Sequence, residues 1–227
     1  MRLFHETDER TIGKPNMNDN HVDLVLASAS PRRKELLSGL NIRFIIIPSA
    51  VDETVMNGET PKENVRRLAL AKAMDVSPRM PGLWILGADT IVVIDKKILG
   101  KPGDVEEANA MLAMLAGRTH EVYTGYALVN SAFPDKQIIR HVVSQVYIRD
   151  LATSEIWDYV TTGEPMDKAG AYAIQGIGSG IVQRISGSYT NVVGLPLCEV
   201  ARDLQQLGIF DFLKANACND CRKSRAN

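Results

Sequence analysis

The chain has 227 residues, 45% hydrophobic and 23% charged, and its 26 basic and 27 acidic side chains leave a net charge of −1. That is the make-up of one ordinary globular domain, large enough for two lobes. It supplies no net field to gather a nucleic acid or an anionic membrane, and no apolar run approaches the roughly 20 residues of a membrane span.

The opening MRLFHETDERTIGKPNMNDN is polar and aperiodic and lacks a secretory apolar core, so a cytoplasmic location is expected. Residues 1–20 read as a flexible extension, residues 21–209 as the folded unit and residues 210–227 as a flexible tail. The odd count of Cys198, Cys218 and Cys221 makes no disulfide framework. Cys218 and Cys221 form a C-x-x-C in the tail, without the second pair of ligands a zinc site needs.

Asp23–Ala27 reads as a buried strand, followed by the small residues Ser28, Ala29 and Ser30. Ser30 stands where a helix N-cap belongs, with Pro31 at the first helical position and Gly39 just past the end. A strand that turns so tightly into a helix points backbone N–H groups outward, which suits an anion such as phosphate. Arg32, Arg33 and Lys34 lie in the first turn, where cations oppose the helix dipole unless a bound anion offsets it. The alternative is a capped surface helix with solvated arginines.

Arg43–Ile47 is a second strand, and Ser49–Glu53 a loop placing Asp52 and Glu53 beyond its end. Glu53 is either a ligand for a hard cation or part of a solvated acidic turn. Thr60 and Glu63 form a capping box, with Pro61 opening a helix that runs to about Val76. Val65, Leu68, Ala69, Ala73 and Val76 form its inward face, and Lys72 falls on that face too. An inward lysine either snorkels to a rim or reaches an anion in a pocket.

Trp84–Ile94 reads as strand, short break at Gly87–Ala88, and strand. Asp89 within WILGADTIVVI is costly to bury unpaired. It is hydrogen-bonded for structure or kept for chemistry, as metal ligand or general base. Asp95–Lys97 is a hairpin turn returning through Ile98 and Leu99, which brings Lys101 near Asp89. Asp104 caps a helix, with Glu107 completing the box and Ala108, Met111, Leu112 and Leu115 facing inward.

His120–Val129 and Ile138–Ile148 suggest an antiparallel pair, and the lone His120 and His141 read as structural. Thr153 starts a helix with Ile156, Trp157 and Val160 as its stripe. The glycine-dense Asp167–Pro196 is the wall of a binding cleft or the connections of a twisted sheet. A last helix runs from Pro196 to Leu207. Neither a P-loop, nor a Rossmann fingerprint in the correct context, nor a His-Glu-x-x-His zinc motif is present.

Read as an ordered set, SASPRR (28–33), LGADT (86–90), LGKP (99–102), DKAGAYAIQG (167–176) and NVVGLP (191–196) resemble the motifs of the Maf family. These are the septum-formation-associated nucleoside triphosphate pyrophosphatases. The resemblance spans Asp23 to Gly208. It implies an α/β fold: an elongated, twisted mixed sheet flanked by helices, with two lobes around a cleft, similar in shape to inosine triphosphate pyrophosphatases. Carried over by motif, Asp89 matches the acceptor of the water proton and, with Lys72 and Lys101, forms the catalytic set. Ser28, Arg32 and Arg33, with the same two lysines, line the triphosphate cleft. Glu53, with Asp89, matches the site for a divalent metal, Mg²⁺ or Mn²⁺. Asp167 and Lys168 belong to the second lobe's share of the cleft, and Arg32, Thr90 and Gln175 match positions tied to base specificity.

Members resembling dTTP/UTP pyrophosphatases carry an aromatic residue and then Ile-Gln-Gly where those preferring 7-methyl-GTP carry Lys-Ser-Glu-Gly. Tyr172–Gly176 is of the first kind, and a glutamine amide can both donate and accept at a pyrimidine edge. The resemblance implies a nucleoside triphosphate as substrate, water attack at the α-phosphorus, and the homodimer common in the family. Its alternatives are a nucleotide-binding regulator of septum formation that does not cut its ligand, and a pyrophosphatase preferring 7-methyl-GTP.

Overall fold

The structure is a computed structural model and describes residues 22–212. The amino-terminal extension and the Cys218–Cys221 pair lie outside the described residues. No helix among the described residues is long and apolar enough to cross a membrane.

Among the described residues, seven strands form one mixed sheet: β1 (Leu24–Leu26), β2 (Phe44–Ile46), β3 (Trp84–Ile94), β4 (Lys97–Leu99), β5 (Thr119–Val129), β6 (Ile138–Ile148) and β7 (Val182–Ser186). Their order is β2-β1-β3-β5-β6-β7, with β4 paired to β3. β1 is parallel to β2 and β3, and the remaining pairs are antiparallel. The expected break at Gly87–Ala88 does not occur. β3 is continuous because β5 pairs with it from Ile85 to Val93 without interruption.

The opposite edge of β3 is divided. β1 pairs with 84–86 and β4 with 92–94, which leaves 87–91 of that edge without a strand among the described residues. A notch results, and side chains from both faces of the sheet can reach it.

Helix α1 (Pro31–Ser38) is capped by Ser30, whose side chain accepts the Arg33 N–H. α2 (Pro61–Val76) opens on the complete Thr60–Glu63 box and buries Val65, Leu68, Ala69, Lys72, Ala73 and Val76. α3 (Val105–Leu115) buries the four residues expected of it, but Glu107 accepts the Gly103 N–H rather than the Asp104 N–H of a capping box. In α4 (Thr153–Thr161), Ile156, Tyr159 and Val160 are buried while Trp157 is 52% exposed. The stripe follows i, i+3, i+4, and Trp157 is one step out of phase. α5 (Tyr189–Val193), like β7, was not expected inside the glycine-dense stretch. α6 (Leu197–Gln206) closes the fold, with Phe210 packed behind it.

α2 covers one face of the sheet at unusually short range. A Cβ at Gly125 would lie 2.2 Å from the Val65 carbonyl oxygen, and one at Gly87 would lie 2.2 Å from that of Ala69. Backbone meets backbone, so no flexible side chain can give way. Gly125→Ala is expected to destabilise the fold by about 1–3 kcal/mol and to shift the helix that carries Lys72. An unchanged denaturant midpoint would contradict this packing.

The other face carries two separate apolar cores. One joins β1, Leu86, Ala88, Tyr126 and Leu128 to α1 and α6. The second joins Val92, Ile94, Val122 and Val146 to α3 and α4. Thr90 and Thr124, opposite each other on β3 and β5, fall between them. That polar seam marks the division into two lobes.

Candidate active site

A cleft of about 550 Å³ opens at the notch. The residues assigned by motif all line it: Ser28, Arg32, Arg33, Glu53, Lys72, Asp89, Thr90, Lys101, Asp167, Lys168 and Gln175; Lys34 and Asp52 do not. Asp89 and Thr90 are neighbours on β3 and so point to opposite faces. The open edge lets both border one space.

On the α2 face, Lys72 Nζ lies 2.7 Å from Asp89 Oδ1 and 2.8 Å from Glu53 Oε1. The Lys72 and Asp89 side chains are each 7% exposed, whereas Glu53 is 54% exposed. Burial alone would raise the Glu53 carboxyl, but the hydrogen bond and charge of Lys72, aided by Lys101 and Arg33, hold it below its ordinary range. Of the two readings of Lys72, the snorkelling one is set aside: its head is buried between two carboxylates.

On the lobe-dividing face, Arg33 is fixed by three hydrogen bonds. Nε donates to the Gly194 carbonyl at 2.8 Å, Nη1 to Ser28 Oγ at 3.2 Å and Nη2 to Thr90 Oγ1 at 3.0 Å. Desolvation lowers its pKa, partly offset by Asp89 and Glu53, yet a guanidinium stays charged. It is a preset cation with one N–H left on each terminal nitrogen. Thr90 Oγ1 also meets Thr124 Oγ1 at 2.9 Å, and Thr124 donates to the Asn191 carbonyl. The seam thus anchors α5 and the loop of Gly194.

At the rim, Arg32 Nη1 reaches Asp167 Oδ2 at 3.4 Å, joining α1 to the second lobe. Lys168 pairs with Asp167 and also donates to the Glu164 carbonyl. These rim pairs are partly solvated and add little stability, but they keep charge at the mouth. Among the described residues no group of three or more His, Cys, Asp or Glu side chains could hold a metal by itself.

The Maf-like protein family model matches residues 23–207, which is most of the chain. The chain belongs to the Maf family. A dTTP/UTP pyrophosphatase of Geobacter metallireducens is 52% identical over 185 residues, covering 82% of this chain and 96% of that protein. One of Syntrophotalea carbinolica is 50% identical over 192 residues, covering 84% and 87%. Among solved structures, a HAM1 protein from Coxiella burnetii aligns over 82% of this chain and all of its own at 21% identity, with a TM-score of 0.45.

Several supports of this Maf site were not singled out from sequence. Asn64 is fully buried, borders the cleft and donates to Glu59 Oε2 at 2.9 Å. Arg67 binds both Glu59 oxygens and the Thr54 carbonyl, so the loop carrying Glu53 is tied to α2. Those bonds hold the Glu59 carboxyl down at about 2. The only sequence signal was an arginine one turn from the capping box.

His120 is structural, as expected: it is buried, with Nε2 2.7 Å from Tyr172 Oη behind the cleft wall. Burial depresses its pKa from 6.5 to about 4. Its folded-state pKa lies below the unfolded one, so its contribution is complete above pH 6.5 and is lost as pH falls through about 4. That loss is on the order of 3 kcal/mol. His120→Phe is expected to flatten the decline of Tm between pH 6.5 and 4; an equally steep decline would contradict it.

Proposed function

We propose that this chain hydrolyses dTTP and UTP to the nucleoside monophosphate and pyrophosphate, with residues 21–209 as the catalytic unit. The observation that carries the reading is the buried Lys72 ammonium between Asp89 and Glu53, on the floor of a cleft walled by Arg33, Lys101 and Lys168. A site that only held a triphosphate would need the cations. A buried carboxylate serves chemistry.

On this reading Lys72 occupies Asp89 Oδ1, and the second Asp89 oxygen accepts the proton of the attacking water. Arg33, locked before substrate arrives, meets phosphate charge without reorganising. Lys101 and Lys168 stand nearer the mouth, where the leaving pyrophosphate gathers charge.

Lys72 holds one oxygen of each carboxylate, so a Mg²⁺ or Mn²⁺ ion arriving with the nucleotide would be held through the other Glu53 oxygen, with Asp89 left to Lys72 and the water. Such an ion takes one or two carboxylates from protein and its remaining oxygens from phosphates and water. When bound, it neutralises phosphate charge in the transition state. Gln175 on the second-lobe wall supplies the paired donor and acceptor that a uracil or thymine edge requires.

The test is product analysis with Mg²⁺ or Mn²⁺ across dTTP, UTP, CTP, GTP, ATP and 7-methyl-GTP. Pyrophosphate and monophosphate from dTTP and UTP, with kcat/KM at least about tenfold above the others, is the expected result. Cleavage centred on 7-methyl-GTP would overturn the role given to Gln175. Binding without turnover would overturn the enzyme reading in favour of a regulator.

A further inference from the structure

Gln175 lies on a segment held from both sides by one linked pair, the buried Tyr159 and the half-buried Glu164. Before it, the Ala173 N–H donates to Tyr159 Oη at 3.0 Å. After it, the Ile177 N–H donates to Glu164 Oε2 at 3.0 Å and the Gly178 N–H to Glu164 Oε1 at 2.8 Å. Tyr159 Oη donates in turn to Glu164 Oε1 at 2.9 Å, so the two anchors are joined. Tyr159 is buried in the α3–α4 core, which gives the unit a rigid base.

The glycines of this stretch follow from the same contacts. Gly176 has φ +69°, and a Cβ there would lie 2.5 Å from Glu164 Oε2. A Cβ at Gly178 would lie 2.4 Å from Tyr159 Oη. Only bare backbone can approach the clamp this closely.

Burial would raise the Glu164 carboxyl, but the two amides, the phenol and Lys168 hold it below its ordinary range. It is therefore ionised at neutral pH, and its bonds to the segment are charge-assisted.

We propose that Tyr159 and Glu164 are positioning residues for base selectivity, fixing residues 173–178 so that the Gln175 amide meets the pyrimidine edge. This rests on the role given to Gln175 above. Neither residue borders the cleft; each acts through the backbone it holds. Glu164→Gln keeps the shape but offers one acceptor oxygen where three donors converge. However it turns, the new amide sets an N–H against a donor or releases one anchor. Tyr159→Phe removes the acceptor for Ala173.

UTP and CTP present opposite donor and acceptor patterns at positions 3 and 4 of the ring, so their ratio reads the Gln175 geometry. Steady-state kinetics of wild type, Y159F, E164Q, the double variant and Q175A would be measured below each variant's Tm. In Y159F and E164Q the UTP-over-CTP ratio of kcat/KM is expected to fall about tenfold, mainly through KM for UTP. The double variant is expected to be no worse than the weaker single, because both act through one unit. If Q175A keeps the wild-type ratio, the role of Gln175 fails. If Q175A loses the ratio while Y159F and E164Q keep it, or lose both substrates equally, the clamp proposal is overturned. Should Y159F fail to fold, E164Q alone decides.

Discussion

Asp89→Asn is expected to lower kcat for dTTP by about 10²–10⁴-fold while leaving the protein folded. The side chain lies on the central strand with Lys72 2.7 Å from Oδ1. An asparagine carbonyl can still accept that bond, so the packing of α2 on β3 survives. The amide loses the proton acceptor and the negative charge, which are what the proposed chemistry draws on. Kinetics alongside a thermal melt separate the two effects. A variant that turns over at the wild-type rate would remove Asp89 from the mechanism.

Lys72→Met is expected to lower both stability and turnover. Asp89 is as buried as Lys72, and Glu53 converges on the same ammonium. Removing the cation leaves Asp89 buried beside a second carboxylate, at a cost of about 3–5 kcal/mol. Methionine fills the space of the alkyl stem, so little of the loss is cavity. Glu53, whose folded-state pKa is depressed, contributes its share above its ordinary 4.5 and loses it as pH falls through the lowered value. The stability gap between wild type and variant should therefore narrow in acid. Equal urea midpoints at pH 7 would contradict the account of this ion pair.

Much of this arrangement was legible in local sequence. Ser30 with Pro31, and Thr60 with Glu63, fixed two helix starts through caps that involve only neighbouring residues. Helical spacing from Leu68 was enough to turn Lys72 inward, and a charge amid WIL and IVVI had to have a partner. What was not legible depends on distant pairings. The notch exists because β1 and β4 stop short of each other on the same edge of β3, and no local pattern encodes that. Gly87 suggested a break, yet its glycine serves the approach of α2 while β5 keeps the strand whole.

Hydrophobicity points Trp157 inward, but helix phase turns Tyr159 into the core instead. Tyr159 then joins Glu164 to a segment more than ten residues later. β7 and α5 carry no local signal because glycine, serine and threonine surround them, and their order comes from contacts with β6 and the Thr124–Asn191 seam. Local signals specified the starts of helices, and the motif resemblance named residues that line the cleft. Tertiary pairing specified how two faces of one sheet come to share a cleft.

The measurement that tests the central claim most directly is hydrolysis of UTP in ¹⁸O-labelled water, followed by mass analysis of both products. The account predicts one labelled oxygen in UMP and none in pyrophosphate, because water attacks the α-phosphorus while the pyrophosphate departs intact. Label in pyrophosphate, or release of labelled inorganic phosphate with UDP, would contradict it.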